Sequence, residues 1–146
     1  MEIMKVVLAD DDADDRLLFQ EAIEEVKINT HLTLFKDGES LIKYLLDRDT
    51  TLPEIVFLDL KMPKKDGFQC LETIRSHSKL KDLVVAIYST SSSEEDIEQT
   101  FIKGANIYIN KPNRFKDLKQ LIAKVMKINW QYHTSALNKD NFLLRI

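Results

Sequence analysis

Hydrophobic residues along this chain follow two periods in turn. Met4 to Ala9, Ile55 to Leu58 and Leu83 to Tyr88 are continuous apolar runs, the first broken only by Lys5, as strands buried on both faces are. His31 to Phe35 alternates, with Leu32 and Leu34 apolar, like a strand with one more exposed face, and Asn106 to Ile109 is a shorter fifth run. Between the runs the period is helical. From Asp14 onward Leu18, Ala22 and Val26 recur every fourth residue, with Phe19 and Ile23 widening the stripe. Leu41, Ile42, Leu45 and Leu46 share a face between Ser40 and Asp49, and Leu71 and Ile74 mark a helix from about Phe68 to Ser76. Ser93 followed by Glu94, Glu95 and Asp96 reads as a helix start with acids in its first turn; that helix runs to Lys103 and stops at Gly104. Leu118, Leu121, Ile122, Val125 and Met126 define a last helix from Phe115 to about Asn129. Strands alternating with helices predict a parallel sheet covered on both faces.

The ends of the runs carry the candidate chemistry. The third run ends in Asp59, and no strand continues past Met62, because Pro63 lacks a ladder donor and Asp66-Gly67 is a turn signal. The first run ends at Asp10-Asp11-Asp12, the fourth at Ser89, and Lys111 follows the fifth. Ligands of open α/β sheets bind at the carboxyl ends of the strands. With the first and third strands adjacent, Asp10, Asp11, Asp59, Ser89 and Lys111 meet at one sheet edge. Three clustered carboxylates repel, which raises their pKa values unless a cation intervenes. Mg2+ suits them, with Mn2+ as the alternative: a hard ion that takes oxygen ligands, keeps several waters and pairs with phosphate. With that charge bound, Asp59 stays ionised and is a candidate nucleophile toward phosphorus, while Lys111 supplies a point charge. Phosphoryl transfer needs positioning and neutralisation more than acid–base work. Each residue has an ordinary alternative: Asp12 as a helix cap, Ser89 as a strand-end hydroxyl, Lys111 as a solvated loop cation. Their joint placement at strand ends in this order argues for chemistry.

Composition narrows the classes. The chain has 146 residues, about one domain, and a net charge of -3. There is no basic footprint, which argues against direct nucleic-acid binding. No segment approaches the ~20 apolar residues of a membrane span, and no signal-peptide pattern opens the chain, so a cytoplasmic location is expected. Cys70 is the only cysteine and, among apolar neighbours, is expected to be buried and inert. Gly38, Gly67 and Gly104 are the only glycines, too few and too scattered for the Gly-rich loop of a nucleotide- or flavin-binding module. A haloacid-dehalogenase-type phosphatase would carry its nucleophile at the end of the first strand, with a second acid two residues on. Here the candidate nucleophile ends the third strand, and no substrate-selecting cap is present.

Four segments, VVLADDDADDR, IVFLDLKMPKKDG, AIYSTSSSEED and GANIYINKP, resemble the receiver domain of bacterial two-component response regulators over Met4 to about Asn129. The resemblance implies a flavodoxin-like, doubly wound, five-stranded parallel sheet in the order 2-1-3-4-5, with helices on both faces. It implies that Asp10 and Asp11 hold Mg2+, that Asp59 is both phosphoacceptor and metal ligand, and that the backbone carbonyl of Lys61 completes the protein ligands. Ser89 matches the switch hydroxyl, in place of the commoner Thr, and Lys111 the phosphate-contacting lysine. Tyr108 matches an aromatic that turns inward when the switch hydroxyl is drawn to the phosphoryl group. A cis bond before Pro112 belongs to the same pattern. The implied partner is a sensor histidine kinase or relay protein. DDRLLFQEAIEEV and STSSSEED look most like stand-alone receivers related to phytochrome-partner regulators, which implies a phytochrome-like kinase and no attached output domain. A pseudo-receiver, folded but not phosphorylated, is the remaining alternative, and the intact site argues against it.

Residues 130–146 do not continue the alternation and read as an extension beyond a receiver of residues 1–129. Trp130, Tyr132, Phe142, Leu143, Leu144 and Ile146 make this stretch too apolar for a solvated tail. It is expected to pack on the chain's own last helix and fifth strand, or on a second copy. The second option is slightly preferred, as an isologous homodimer through the fourth helix, fifth strand, last helix and extension.

Overall fold

The computed structural model describes residues 3–128 and 138–144. Strands β1 (Met4–Ala9), β2 (Thr30–Phe35), β3 (Ile55–Leu58), β4 (Val84–Ser89) and β5 (Ile107–Asn110) alternate with helices α1 (Ala13–Glu25), α2 (Gly38–Leu46), α3 (Gly67–Ser76), α4 (Glu94–Ile102) and α5 (Phe115–Met126). One further turn of helix, α6 (Lys139–Phe142), leads into a two-residue strand, β6 (Leu143–Leu144). All pairings are parallel, and the order is β2-β1-β3-β4-β5-β6. The expected sheet of five strands therefore has six. Two residues carry no period, so β6 leaves no pattern in the sequence; its pairing with Tyr108 and Ile109 is a tertiary outcome. Among the described residues no helix is long and apolar enough to cross a membrane.

Side chains alternate across the buried strands and divide the core into two layers. Val7, Val56, Leu58, Val85 and Ile87 meet α2, α3 and α4 on one face. Val6, Leu8, Phe57, Ala86 and Ile109 meet α1 and α5 on the other. The inward line of α1 runs through Phe19, Ala22 and Ile23, whereas Leu18, expected on the stripe, is 44% exposed. Phe19 sets that rotation: its ring packs edge-on against Phe57 at 4.9 Å and Tyr88 at 5.5 Å, a larger burial than Leu18 could make.

The helix starts are fixed locally. Asp12 accepts from the backbone N–H groups of Asp14 and Asp15, Asp37 from Ser40, and Ser93 from Asp96, while Asp66 and Gln69 form a capping box. At the opposite end of the sheet Arg75 donates to the carbonyls of Gly104, Lys81 and Leu83 and to Asn106 Oδ1, at 2.6–3.0 Å. That guanidinium ties the end of α3 to the starts of β4 and β5.

The described part of the extension packs on its own chain. Phe142 is fully buried, its ring 5.2 Å from Phe101 and 6.3 Å from Tyr108. Leu143 then joins one core layer and Leu144 the other. Trp130, Tyr132 and Ile146, and the expected end of α5 at Asn129, lie outside the described residues. Phe142→Ala is expected to lower stability by about 3 kcal/mol, the cost of emptying a buried aromatic site. It should also speed hydrogen exchange at β5, read by urea melts and amide exchange. Unchanged protection of β5 would contradict the packing described here.

Candidate functional site

The ladder extends one residue beyond each central strand and sets the site's spacing. Asp10 N–H donates to Phe35 O at 3.0 Å, Asp59 N–H to Ala9 O at 3.0 Å, and Lys111 N–H to Ser89 O at 2.8 Å. Asp10, Asp59, Ser89 and Lys111 are thus held by backbone at the carboxyl edge, as the strand ends imply. Arg16 Nη1 donates to Asp10 O at 2.8 Å, fixing the turn into α1.

Lys111 is the centre of charge. Its Nζ lies 2.8 Å from Asp10 Oδ2, 2.9 Å from Asp15 Oδ2 and 3.2 Å from Asp59 Oδ2, with the side chain 8% exposed. Burial opposes the ammonium charge, but the close carboxylates of Asp10 and Asp15 outweigh it and hold Lys111 well above the usual lysine range. It also sits 5.2 Å from the centre of the Tyr88 ring, a cation–π distance; burial pushes the Tyr88 hydroxyl up. Asp10 is completely buried, and burial pushes its carboxyl up to about 6 against the pull of Lys111. Asp10 Oδ1 accepts from Asp12 N–H at 3.0 Å. Oδ2 lies close to the ammonium yet off the hydrogen-bond axis, so that pairing is Coulombic.

One carboxylate oxygen from each of Asp10, Asp11 and Asp59 falls within 4.8 Å of the others, with Asp11 on the exposed side. Two buried carboxylates and one open one, with a buried oxygen lacking an aligned donor, fit a hard divalent cation that keeps part of its water. Lys61 is exposed, two residues past Asp59. Two glycines admit the loop around it. A Cβ at Gly67 would sit 2.3 Å from Asp59 O, and one at Gly38 2.0 Å from Lys65 O, so the starts of α2 and α3 can press against this loop only as glycine. Lys64 takes a left-handed φ of 68° within it.

Beside the carboxylates, Ser89 is buried and its Oγ accepts from Ser91 N–H at 3.1 Å. Ser91 O in turn accepts from Tyr108 Oη at 2.8 Å and Asn110 Nδ2 at 2.9 Å. Tyr108 is fully buried. Cys70 is buried as well, and desolvation pushes its thiol up to about 12. The sequence alone does not mark Asp15 or Phe142 as site residues. Asp15 reads there as a first-turn helix acid, and nothing separates Phe142 from the other apolar residues of the extension.

A family model of the response regulator receiver domain matches residues 6–123. The chain belongs to this family. Receivers take a phosphoryl group on an aspartate in two-component signalling, and act as switches rather than as general catalysts. This receiver is 28% identical over 123 residues to the probable methanogenesis regulatory protein FilR2 of Methanothrix harundinacea, across 82% of this chain and 79% of that protein. It is 29% identical over 121 residues to the response regulator Rcp1 of Synechocystis sp., across 80% of this chain and 82% of that protein. The crystal structure of phosphorylated RcpA, a cyanobacterial phytochrome response regulator, superposes with a TM-score of 0.79 at 28% identity, covering 94% of this chain and 98% of RcpA. Against the family pattern, no cis peptide bond occurs among the described residues of this receiver. The Lys111–Pro112 bond is trans, the lower-energy isomer of an X-Pro bond by roughly 0.5–1 kcal/mol, and Lys111 reaches the carboxylates with it.

Without a divalent cation Asp10 should hold its proton to a higher pH than the 3.8 of an unperturbed Asp. The native state then binds more protons than the unfolded one between about pH 4 and 6. This group's contribution to stability is present at the acid end of that window and is lost as pH rises through it. A carbon NMR titration of the Asp10 carboxyl should give a midpoint near 6; a midpoint at the unperturbed value would contradict the burial argument.

Proposed function

We propose that Asp59 is the phosphoacceptor of this receiver, in a reaction that requires Mg2+ or Mn2+ held by Asp10, Asp11, Asp59 and the backbone carbonyl of Lys61. The single observation that carries the reading is the meeting of these carboxylates with Lys111 at the carboxyl edge of the sheet. The bound cation would neutralise phosphoryl oxygens, and Lys111 would hold one of them through its ammonium. Rcp1 is described in an Mn2+-bound form and RcpA in a phosphorylated form, which supports the same chemistry at the matching carboxylates here. The chain would catalyse only its own phosphorylation and slow dephosphorylation. Its donor would be a cytoplasmic sensor histidine kinase or relay protein, of phytochrome type by analogy with Rcp1 and RcpA, and direct nucleic-acid contact is not part of the reading.

The conformational response would run through Ser89 and Tyr108. Drawing Ser89 Oγ toward a phosphoryl oxygen would release Ser91 N–H, and Ser91 O already holds the Tyr108 hydroxyl. Since Tyr108 is buried against Phe142, we place the response in this loop and in the extension, not in a large inward swing of the ring. Residues 1–129 would form the receiver proper and 130–146 its extension. For the extension we propose an intramolecular clasp in preference to the homodimer through α4, β5, α5 and the tail, because Phe142 to Leu144 cover the β5 edge that such a pair would use.

Incubation with acetyl phosphate and Mg2+ is expected to add one phosphoryl group, mapped by mass spectrometry to Asp59. Asp59→Asn, or chelation of the metal, should reduce uptake by at least tenfold. Uptake by Asp59→Asn at the wild-type rate would remove Asp59 from this role.

A further inference from the structure

Lys111 Nζ makes aligned hydrogen bonds to Asp15 Oδ2 at 2.9 Å and Asp59 Oδ2 at 3.2 Å. It lies 2.8 Å from Asp10 Oδ2 as well. Asp10 and Asp59 already have parts in the proposed chemistry; Asp15 has none. Phosphoryl transfer to Asp59 forms a bond between a carboxylate oxygen of Asp59 and phosphorus. The bond from phosphorus to the donor atom breaks, and that atom keeps the electron pair: oxygen, leaving as acetate, from acetyl phosphate, and nitrogen, taking up a proton to leave as ammonia, from phosphoramidate. The transferred group brings anionic oxygens to the place where Lys111 now bonds Asp59. An ammonium has three N–H donors, and here they face three carboxylates. Only the bonds to Asp15 and Asp59 are aligned, and phosphorylation of Asp59 displaces the second, so the remaining pull on the ammonium away from a phosphoryl oxygen comes from its carboxylate neighbours Asp10 and Asp15.

Asp10 cannot withdraw, being sealed at 0% exposure behind the sheet edge. Asp15 can: its side chain is 31% exposed and stands in the first turn of α1, at the rim of the site. We infer that Asp15 competes with the phosphoryl group for Lys111, and so is a positioning residue that restrains phosphorylation of Asp59. It acts by two routes, both electrostatic. It pulls the ammonium away from the incoming anion, and its own charge repels that anion across a short, partly buried distance. The restraint is reversible, because a carboxylate at the rim regains water when it lets go.

The inference rests on Asp59 being the phosphoacceptor, and the test separates the two. Full-length wild type, Asp15→Asn and Asp15→Glu are compared in Mg2+. Beryllofluoride affinity is read by calorimetry, and phosphorylation rate by mass spectrometry with acetyl phosphate and with phosphoramidate. Asp15→Asn is expected to bind beryllofluoride about fivefold more tightly and to react with acetyl phosphate about fivefold faster, the scale of one charge–charge contact at a partly exposed site. The gain should be smaller with phosphoramidate, which carries less negative charge than acetyl phosphate at neutral pH. Asp15→Glu should stay close to wild type. A purely structural Asp15 would shift the melting temperature without separating the two donors. Unchanged or weaker beryllofluoride binding in Asp15→Asn, or equal acceleration with both donors, overturns the inference. A wild type that takes no phosphoryl group on Asp59 overturns the phosphoacceptor reading itself, and this inference with it.

Discussion

Negative charge gathered at the closed end of a buried parallel sheet has to be balanced from within, and here one ammonium does most of that balancing. Lys111 Nζ touches carboxylates from the ends of β1 and β3 and from the first turn of α1, all within 3.2 Å. Asp11 adds a fourth carboxylate, within metal-sharing distance of Asp10 and Asp59. Among the described residues Lys111 alone pairs with these carboxylates, which leaves the edge under-neutralised. Burial adds to this at Asp10, whose carboxyl is pushed up to about 6 mainly by its loss of water, with the charge of Asp59 a smaller contribution. A divalent cation and a phosphoryl group, arriving with opposite charges, are the natural complement of such an edge.

The fold exists, in physical terms, to hold those charges in place. Parallel pairing of β1 with β3 and of β4 with β5 fixes Asp10 beside Asp59 and Lys111 beside Ser89 through backbone bonds, independent of side-chain rotamers. Glycine at positions 38 and 67 lets two helix starts crowd the loop after Asp59. Arg75 ties β4 and β5 to α3 at the far end of the sheet. Two hydrogen bonds and one ring contact link the edge to the extension: Ser91 N–H donates to Ser89 Oγ, the Tyr108 hydroxyl to Ser91 O, and the Tyr108 ring packs on Phe142.

Much of this was legible in the sequence because the signals were local. Continuous apolar runs marked the buried strands, and acids, hydroxyls and a lysine at their ends marked the edge. Asp12 and Ser93 cap their helices as their positions suggest. What escaped depends on contacts between distant segments. The inward line of α1 turned by one residue because Phe19 finds Phe57 and Tyr88. A two-residue β6 has no period to detect, and Phe142 acquires meaning only beside Tyr108. Asp15 looks like one of several acids in a helix start until Lys111, 96 residues away, is brought to it by the fifth strand.

The role of this edge depends on its carboxylates binding a divalent cation. Calorimetric titration of Mg2+ and Mn2+ into the full chain, with thermal melts of the same samples, tests this most directly. One ion is expected to bind per chain and to raise the melting temperature, with both effects weakened by Asp11→Asn, which removes the exposed carboxylate and leaves the buried pair. A wild-type chain that shows no heat of binding and no change in melting temperature with either ion would contradict the account.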